Sequence, residues 1–281
     1  MTDEHRAAVC GKPIAHSLSP VIHNAGFAAA GLTGWSYTAI ECAEAELAGL
    51  VAGLGPEWAG LSLTMPLKEV ALGCAAEASP TAAAIGAANT LVRRADGTWF
   101  ADNTDVPGMV RTLRAAGLGS GTPSITVLGG GGTARAALAA AARLGAPAVT
   151  LVTRRPAARD ELAPVAAALG LRLDGAGWAD ATGAFDADAV ISTVPKGAAD
   201  HLAGTIGWRP GTVLFDALYD PWPTPLAADA REHGVPVVSG LDLLLAQALS
   251  QFEQFTGVRS APEAAMGAAL FAAAGRRHAR L

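Results

Sequence analysis

The sequence predicts an α/β fold with a parallel sheet in its second half, and three observations carry that expectation. Short β-branched runs alternate with alanine-rich stretches from one end of the 281 residues to the other. A run of four glycines follows one of these strands and opens a helix. Two helical stretches close the chain with no strand after them.

In the first hundred residues, strands are expected at 7–10, 35–40, 59–63 and 88–93, with a hairpin at Ala95-Asp96-Gly97 returning through 98–101. Ser19-Pro20 reads as a helix start, with a hydroxyl at the cap and proline at the first helical position. Strands at 124–128, 148–152, 188–192, 212–216 and 235–238 follow. Enough chain separates them for crossover helices, so they are expected to pair in parallel. Residues 241–256 and 261–274 have helical periodicity.

Length permits one large domain or two medium ones. With 51% hydrophobic and 16% charged residues, the chain can bury a core and does not resemble a disordered one. A net charge of −5 and scattered arginines give no electrostatic footprint for nucleic acid or an anionic membrane. The most apolar segment, near 134–149, is alanine-rich and interrupted by Arg135 and Arg143, too polar to span a bilayer. Cys10, Cys42 and Cys74 are odd in number and fall in no metal-ligand spacing. They read as reduced, buried small hydrophobes, and no metal site is expected. The charged start MTDEHRAAVC carries no apolar signal segment, which suits a cytoplasmic enzyme acting on a small molecule. Monomer and homodimer are both compatible with this composition.

The strongest local signal is ITVLGGGGTARAAL, residues 125–138. A β-branched strand runs into Gly129-x-Gly131-x-x-Ala134 and a helix follows. The first glycine permits the tight turn, the second lets the backbone approach a pyrophosphate, and a small residue at 134 lets helix and strand pack closely. Free N–H groups at the helix start then point at the phosphates. The next strand ends in Thr153-Arg154-Arg155, with no carboxylate before Asp160. An NAD site usually has an acid there for the ribose hydroxyls, whereas an arginine pair suits the 2′-phosphate of NADP. Two solvated loop arginines are the competing reading.

The first hundred residues gather small polar side chains at expected strand ends and loops: Ser17, Ser19, Thr64, Lys68, Asn89, Thr90, Asn103, Thr104 and Asp105. Singly, Ser19 and Asp105 also read as helix caps, Thr64 as a strand end, Asn89 as a turn and Lys68 as a solvated helix residue. Together they describe a pocket that reads hydroxyls and a carboxylate. Lys68 is one of three lysines beside seventeen arginines. Oxidising a secondary alcohol requires a group that accepts its proton. Arginine stays protonated, but an amine is neutralised when burial desolvates it.

In GKPIAHSLSP, LSLTMPLKE, GAANT, DNTD, the glycine loop with TRR after it, LYDPWPTPL and GLDLLLAQALSQF, the chain resembles the shikimate dehydrogenases from about residue 9 to 270. The resemblance implies NADP-dependent interconversion of shikimate and 3-dehydroshikimate in aromatic amino-acid biosynthesis. It implies an N-terminal α/β substrate domain, 1–105, that regains its closing helices from 241–281, around a Rossmann-like parallel-sheet NADP domain, 106–240. Carried onto this sequence, the substrate pocket falls on Ser17, Ser19, Thr64, Lys68, Asn89, Asp105, Tyr219 and Gln247. Ser17, Ser19 and Tyr219 would hold the carboxylate, and Asn89, Asp105 and Gln247 the ring hydroxyls. Cofactor contacts fall on Gly129, Gly130, Gly131, Gly132 and Thr133, on Thr153, Arg154 and Arg155, and near Ser192, Thr193, Ala217 and Gly240.

The resemblance makes Lys68 catalytic, with Asp105 beside it. Two versions stay open: Lys68 takes the alcohol proton itself, or it stays charged and stabilises the alkoxide while water or Asp105 relays. Ser62 and Thr153 stand where asparagine is frequent in the family. Asp242-Leu243 replaces a glycine-methionine pair near the nicotinamide, where the carboxylate would bias the cofactor or face solvent. His16 reads as a supporting histidine, not an acid or base. A quinate/shikimate dehydrogenase with broader substrate or NAD use, and a non-catalytic NADP-binding paralogue, are the alternatives.

Overall fold

The computed structural model describes residues 4–278. The chain divides into two compact units, Met1–Thr104 with Leu244–Leu281, and Asp105–Leu243. Among the described residues no helix is long and apolar enough to cross a membrane.

The first unit opens with β1 (His5–Gly11), α1 (Ser19–Ala29), β2 (Trp35–Glu41), α2 (Glu44–Gly53) and β3 (Trp58–Leu63). It continues with β4 (Glu77–Ala78), α3 (Pro80–Ile85), β5 (Thr90–Arg93) and β6 (Trp99–Asp102). The strand order is β2-β1-β3-β5-β6-β4. β1 pairs in parallel with both β2 and β3, while β5 runs antiparallel between β3 and β6. The inner strand β1 is apolar along Ala7–Cys10 because neighbours cover both its faces. Leu47, Leu61, Leu63, Leu67, Leu91 and Trp99 pack with Cys10 and Cys42 into one core.

The second unit contains α4 (Asp105–Ala115), β7 (Ile125–Leu128), α5 (Gly132–Arg143), β8 (Ala148–Thr153), α6 (Ala157–Ala168) and β9 (Arg172–Gly177). Then come β10 (Ala189–Ser192), β11 (Val213–Asp216), α7 (Pro225–Glu232) and β12 (Val237–Ser239). Its sheet is parallel throughout, in the order β12-β11-β10-β7-β8-β9. The alanine content of α5 serves close packing: Ala134, Ala136, Ala137, Ala140 and Ala141 are all buried.

The chain ends in α8 (Gly240–Thr256) and α9 (Glu263–His278). Both contribute to the core of the first unit. Phe252 lies 5.5 Å, ring to ring, from Phe27 of α1, and a side chain at Gly26 would meet Phe252 and Met266 at 2.9 Å.

Three expectations need correction. Ser19 does not cap α1 with its hydroxyl: the cap residue is Leu18, and the Ser19 backbone N–H donates to Ser17 Oγ at 3.2 Å. Cys10 and Cys42 are buried free thiols, but Cys74 is only partly buried. Burial pushes the Cys10 thiol up to about 12. Strands β4 and β9 were absent from the expected pattern. The β9 sequence RLDGAG holds two glycines and no β-branched residue, and only pairing along β8 makes it a strand.

Candidate active site

In the second unit the residues Ser239, Asp216, Ser192, Leu128 and Val152 form one row across five strands, each in register with the next. The residues that follow them are Gly240, Ala217, Thr193, Gly129 and Thr153. A parallel sheet binds its ligand beyond the carboxyl ends of its strands, where the strand order reverses. Here that point lies between β7, which leads on to β8 and β9, and β10, which starts the other half. Gly129 and Thr193 sit there. Gly129 has φ +105°, and a side chain on it would meet Thr193 Oγ1 at 2.6 Å. Thr193 is itself fixed, its hydroxyl and N–H both donating to Leu128 O at 2.8 Å. Ala217 N donates to Ser192 O at 2.9 Å and Gly240 N to Leu218 O at 3.1 Å, so the row continues to β12.

A cavity of about 200 Å³ lies over this row, lined by Gly129, Gly130, Gly131, Thr153, Arg154 and Arg155 among others. Gly131 is the cap residue of α5 and offers no side-chain acceptor, which leaves N–H groups of the first turn for an anion. Thr153 Oγ1 donates to Arg155 O at 2.9 Å and steadies the turn that displays both arginines. Arg154 and Arg155 are exposed, and Arg155 is paired through two bonds with Glu161. Glycine turn, open helix start and arginine pair together fit a phosphorylated dinucleotide. Gly132, Thr133, Ser192, Ala217 and Gly240 do not line this cavity. Trp178, directly after β9, does.

Asp242 is partly buried and bonds to the residue just before its own helix. Its Oδ2 accepts from Ser239 N at 2.8 Å and Ser239 Oγ at 2.7 Å, while Asp242 N donates to Ser239 Oγ at 3.4 Å. This reciprocal box caps the start of α8.

In the first unit, the expected substrate residues follow strand ends. Thr64 comes directly after β3, its N–H donating to Cys10 O at 3.0 Å, and Lys68 O accepts from Ala88 N at 2.7 Å. Asn89 bridges neighbouring strands, its O accepting from Leu63 N at 2.7 Å and its N donating to Asp102 O at 3.1 Å. Thr64, Lys68 and Asn89 are thus brought together by backbone bonds. Ser17 is partly buried and Ser19 buried on the loop and first turn after β1. Gln247 is buried on α8, with Nε2 donating to Leu244 O at 2.9 Å. Asp105, buried, and Tyr219, partly buried, belong to the second unit. His16 is exposed. Among the described residues no group of three or more His, Cys, Asp or Glu side chains could hold a metal.

The sequence reading named Ser62, Thr90 and Thr104 but missed Tyr37, Gln251 and the bonds that join them all to Asn89. Asn89 Oδ1 accepts from Thr104 N at 2.8 Å, Thr104 Oγ1 at 3.1 Å and Thr90 Oγ1 at 2.8 Å. Gln251, fully buried one helical turn beyond Gln247, donates from Nε2 to Asn89 O at 3.1 Å and Thr90 Oγ1 at 2.9 Å. Its Oε1 accepts from Ser62 Oγ at 2.6 Å, which in turn accepts from the Tyr37 hydroxyl at 2.6 Å. His23 stacks on Tyr37 with ring centroids 4.1 Å apart. Burial holds the His23 imidazole down at about 3, an effect that nearby Gln251 partly offsets, and neither ring nitrogen reaches hydrogen-bond geometry. The visible signal was the i, i+4 pair of glutamines on one face of an apolar helix.

Residues 9–91 match the shikimate dehydrogenase substrate binding domain, and residues 240–271 the shikimate 5'-dehydrogenase C-terminal domain. The shikimate dehydrogenase (NADP(+)) of Moorella thermoacetica is 38% identical, over 95% of this chain and 93% of its own. The crystal structure of Mycobacterium tuberculosis shikimate dehydrogenase is 44% identical with a TM-score of 0.87, covering 95% of this chain and 99% of that one. A Thermus thermophilus shikimate 5-dehydrogenase, solved with NADP(H) and shikimate, is 31% identical with a TM-score of 0.82, over 96% and 99%. Near full-length similarity at these identities, on a fold with the same architecture, places this chain in the shikimate dehydrogenase family.

Proposed function

We propose that this chain interconverts shikimate and 3-dehydroshikimate with NADP, the first unit binding the substrate and the second the cofactor. The observation that carries the reading is the cavity over the β7–β10 switch point, where the Gly129–Gly131 turn and the Arg154–Arg155 pair line one space. Support comes from the Thermus thermophilus relative, solved with NADP(H) and shikimate.

Gly129, Gly130, Gly131, Arg154 and Arg155 would hold NADP, which when bound would supply the acceptor for the hydride of the alcohol carbon. This chain's residues do the rest. Arg154 and Arg155 select the 2′-phosphate by charge and by the fork geometry of guanidinium. Ser17, Ser19 and Tyr219 hold the substrate carboxylate, and Thr64, Asn89 and Gln247 pair with ring oxygens. Lys68 Nζ, with the Asp105 carboxylate, handles the alcohol proton. A positioned acid or base lowers such a barrier by about 10²- to 10⁴-fold in rate.

The test is shikimate-dependent NADP reduction followed at about 340 nm, repeated with quinate and with NAD. Shikimate with NADP is expected to be the best of the four pairs. Lys68→Ala should lose about 10²- to 10⁴-fold in kcat with little change in either KM, and Lys68→Arg should not restore it. Efficient turnover by the arginine variant would remove Lys68 from the proton's path. Cofactor binding without any turnover would make the chain a binding paralogue.

A further inference from the structure

We infer that Tyr37, Ser62, Gln251 and Thr90 are positioning residues: a buried one-way chain of hydrogen bonds that fixes the Asn89 amide with its oxygen inward and its NH₂ toward the ligand. The inference rests on the reading of Asn89 as a substrate-binding residue.

The direction of every bond is set by two backbone groups. Asn89 O can only accept, so Gln251 must present its NH₂ to it, and its Oε1 faces the other way. Ser62 then has to donate to that carbonyl oxygen, which leaves its own oxygen to accept from Tyr37. On the other side, Thr90 Oγ1 accepts from Gln251 and spends its one proton on Asn89 Oδ1. Thr104 N–H can only donate, and it too meets Oδ1. Three donors therefore occupy the Asn89 oxygen. Among the described residues its Nδ2 has no protein partner.

The consequence is one of specificity. A ligand beside Asn89 must offer an acceptor, such as a hydroxyl or carbonyl oxygen, because the side chain has only donors left. An ammonium at the same place would meet two N–H groups and no acceptor. Tyr37, Ser62 and Gln251 are 2%, 4% and 0% exposed, so they act through Thr90 and Asn89 and not on bulk solvent. Of the titratable groups packed against the chain of bonds, burial keeps His23 neutral and raises the Tyr37 phenol.

Gln251→Glu separates this role from plain packing, because it keeps the shape and reverses the polarity. When ionised, the introduced carboxylate accepts from both Ser62 and Thr90, and Thr90 then withdraws its proton from Asn89. When protonated, the introduced carboxyl keeps one donor and one acceptor, as glutamine does. The variant's shikimate KM, divided by that of the unaltered protein, should rise at least tenfold as pH is raised through the titration of the buried carboxyl. The KM for NADP should stay within twofold. Ser62→Ala should raise the shikimate KM about three- to tenfold, and Ser62→Thr should restore it. A KM ratio flat with pH, or shikimate and NADP KM values moving together, would overturn the inference. If the unaltered protein neither turns over shikimate nor is stabilised by it, the functional reading is what fails. The chain of bonds is then read by NMR. The Asn89 side-chain amide pair, assigned by its loss in Asn89→Asp, should shift in Ser62→Ala, and an unmoved pair would overturn the inference.

Discussion

Glu161 holds the guanidinium of Arg155 through two bonds, 3.3 and 3.2 Å long, beside the cavity assigned to the cofactor. Under the proposed function, the carboxylate would compete with the 2′-phosphate for the same fork of donors. Both side chains are well exposed, so the pair contributes no more than about 1 kcal/mol. Glu161→Gln should tighten NADP binding about two- to fivefold and leave NAD unchanged, as measured by calorimetric titration. Unchanged NADP affinity would show that Arg155 takes no part in phosphate recognition.

Among the described residues Arg154 has no such competitor. Arg154→Ala removes charge-assisted hydrogen bonds, each contributing about 1.5–3 kcal/mol, so NADP should bind about 10- to 100-fold more weakly. NAD, which lacks the phosphate, should bind as before. Equal losses for both nucleotides would point to damage in the turn instead.

His23 gives the fold an acid-sensitive point. Its ordinary value of 6.5 is held down at about 3 by burial. Between those values the unfolded chain binds a proton that the folded chain excludes. Stability should therefore fall as pH drops from about 6.5 toward 3, by about 1.4 kcal/mol for each unit of difference. His23→Phe keeps the stacking partner of Tyr37 and removes two unpaired nitrogens. Urea melts at pH 7 and pH 5 should show a smaller loss in the variant, and an equal loss would assign the acid sensitivity elsewhere.

Asp242 gives a test of the cap at the start of α8. Asp242→Ala leaves Ser239 N and Oγ without their acceptor, which costs about 1 kcal/mol. For a protein of this size the thermal midpoint should fall by about 2–4 °C. The KM for NADP should not change, and a selective NADP defect would return Asp242 to the cofactor site.

Much of this was legible in the chain. Strands such as ITVL and AVTLV declare themselves through β-branched residues, and the parallel order follows from crossover lengths. The turn and the arginine pair that line one cavity were legible because glycines and strand-end arginines carry their conformational and charge requirements openly. RLDGAG was not, since only its neighbour makes it a strand. The chain from Tyr37 to Asn89 was hidden for a different reason. Its members lie far apart in sequence, and each looks like an ordinary polar residue until burial obliges it to find a partner. Ser239-x-x-Asp242 carries the spacing of a capping box, a local signal that does not depend on any cofactor.

The first unit is assembled from two stretches separated in sequence by the whole of the second. Phe252 and Met266 crowd Gly26, and Phe255 covers Gly60, so residues made later complete packing begun by residues made earlier. A ribosome delivers these pieces with Asp105–Leu243 in between. The intervening unit can reach its native form while the earlier strands still lack their closing helices. Until those helices are made, Ala7–Cys10 and Leu61–Leu63 lack their cover, and uncovered apolar strands are prone to aggregate.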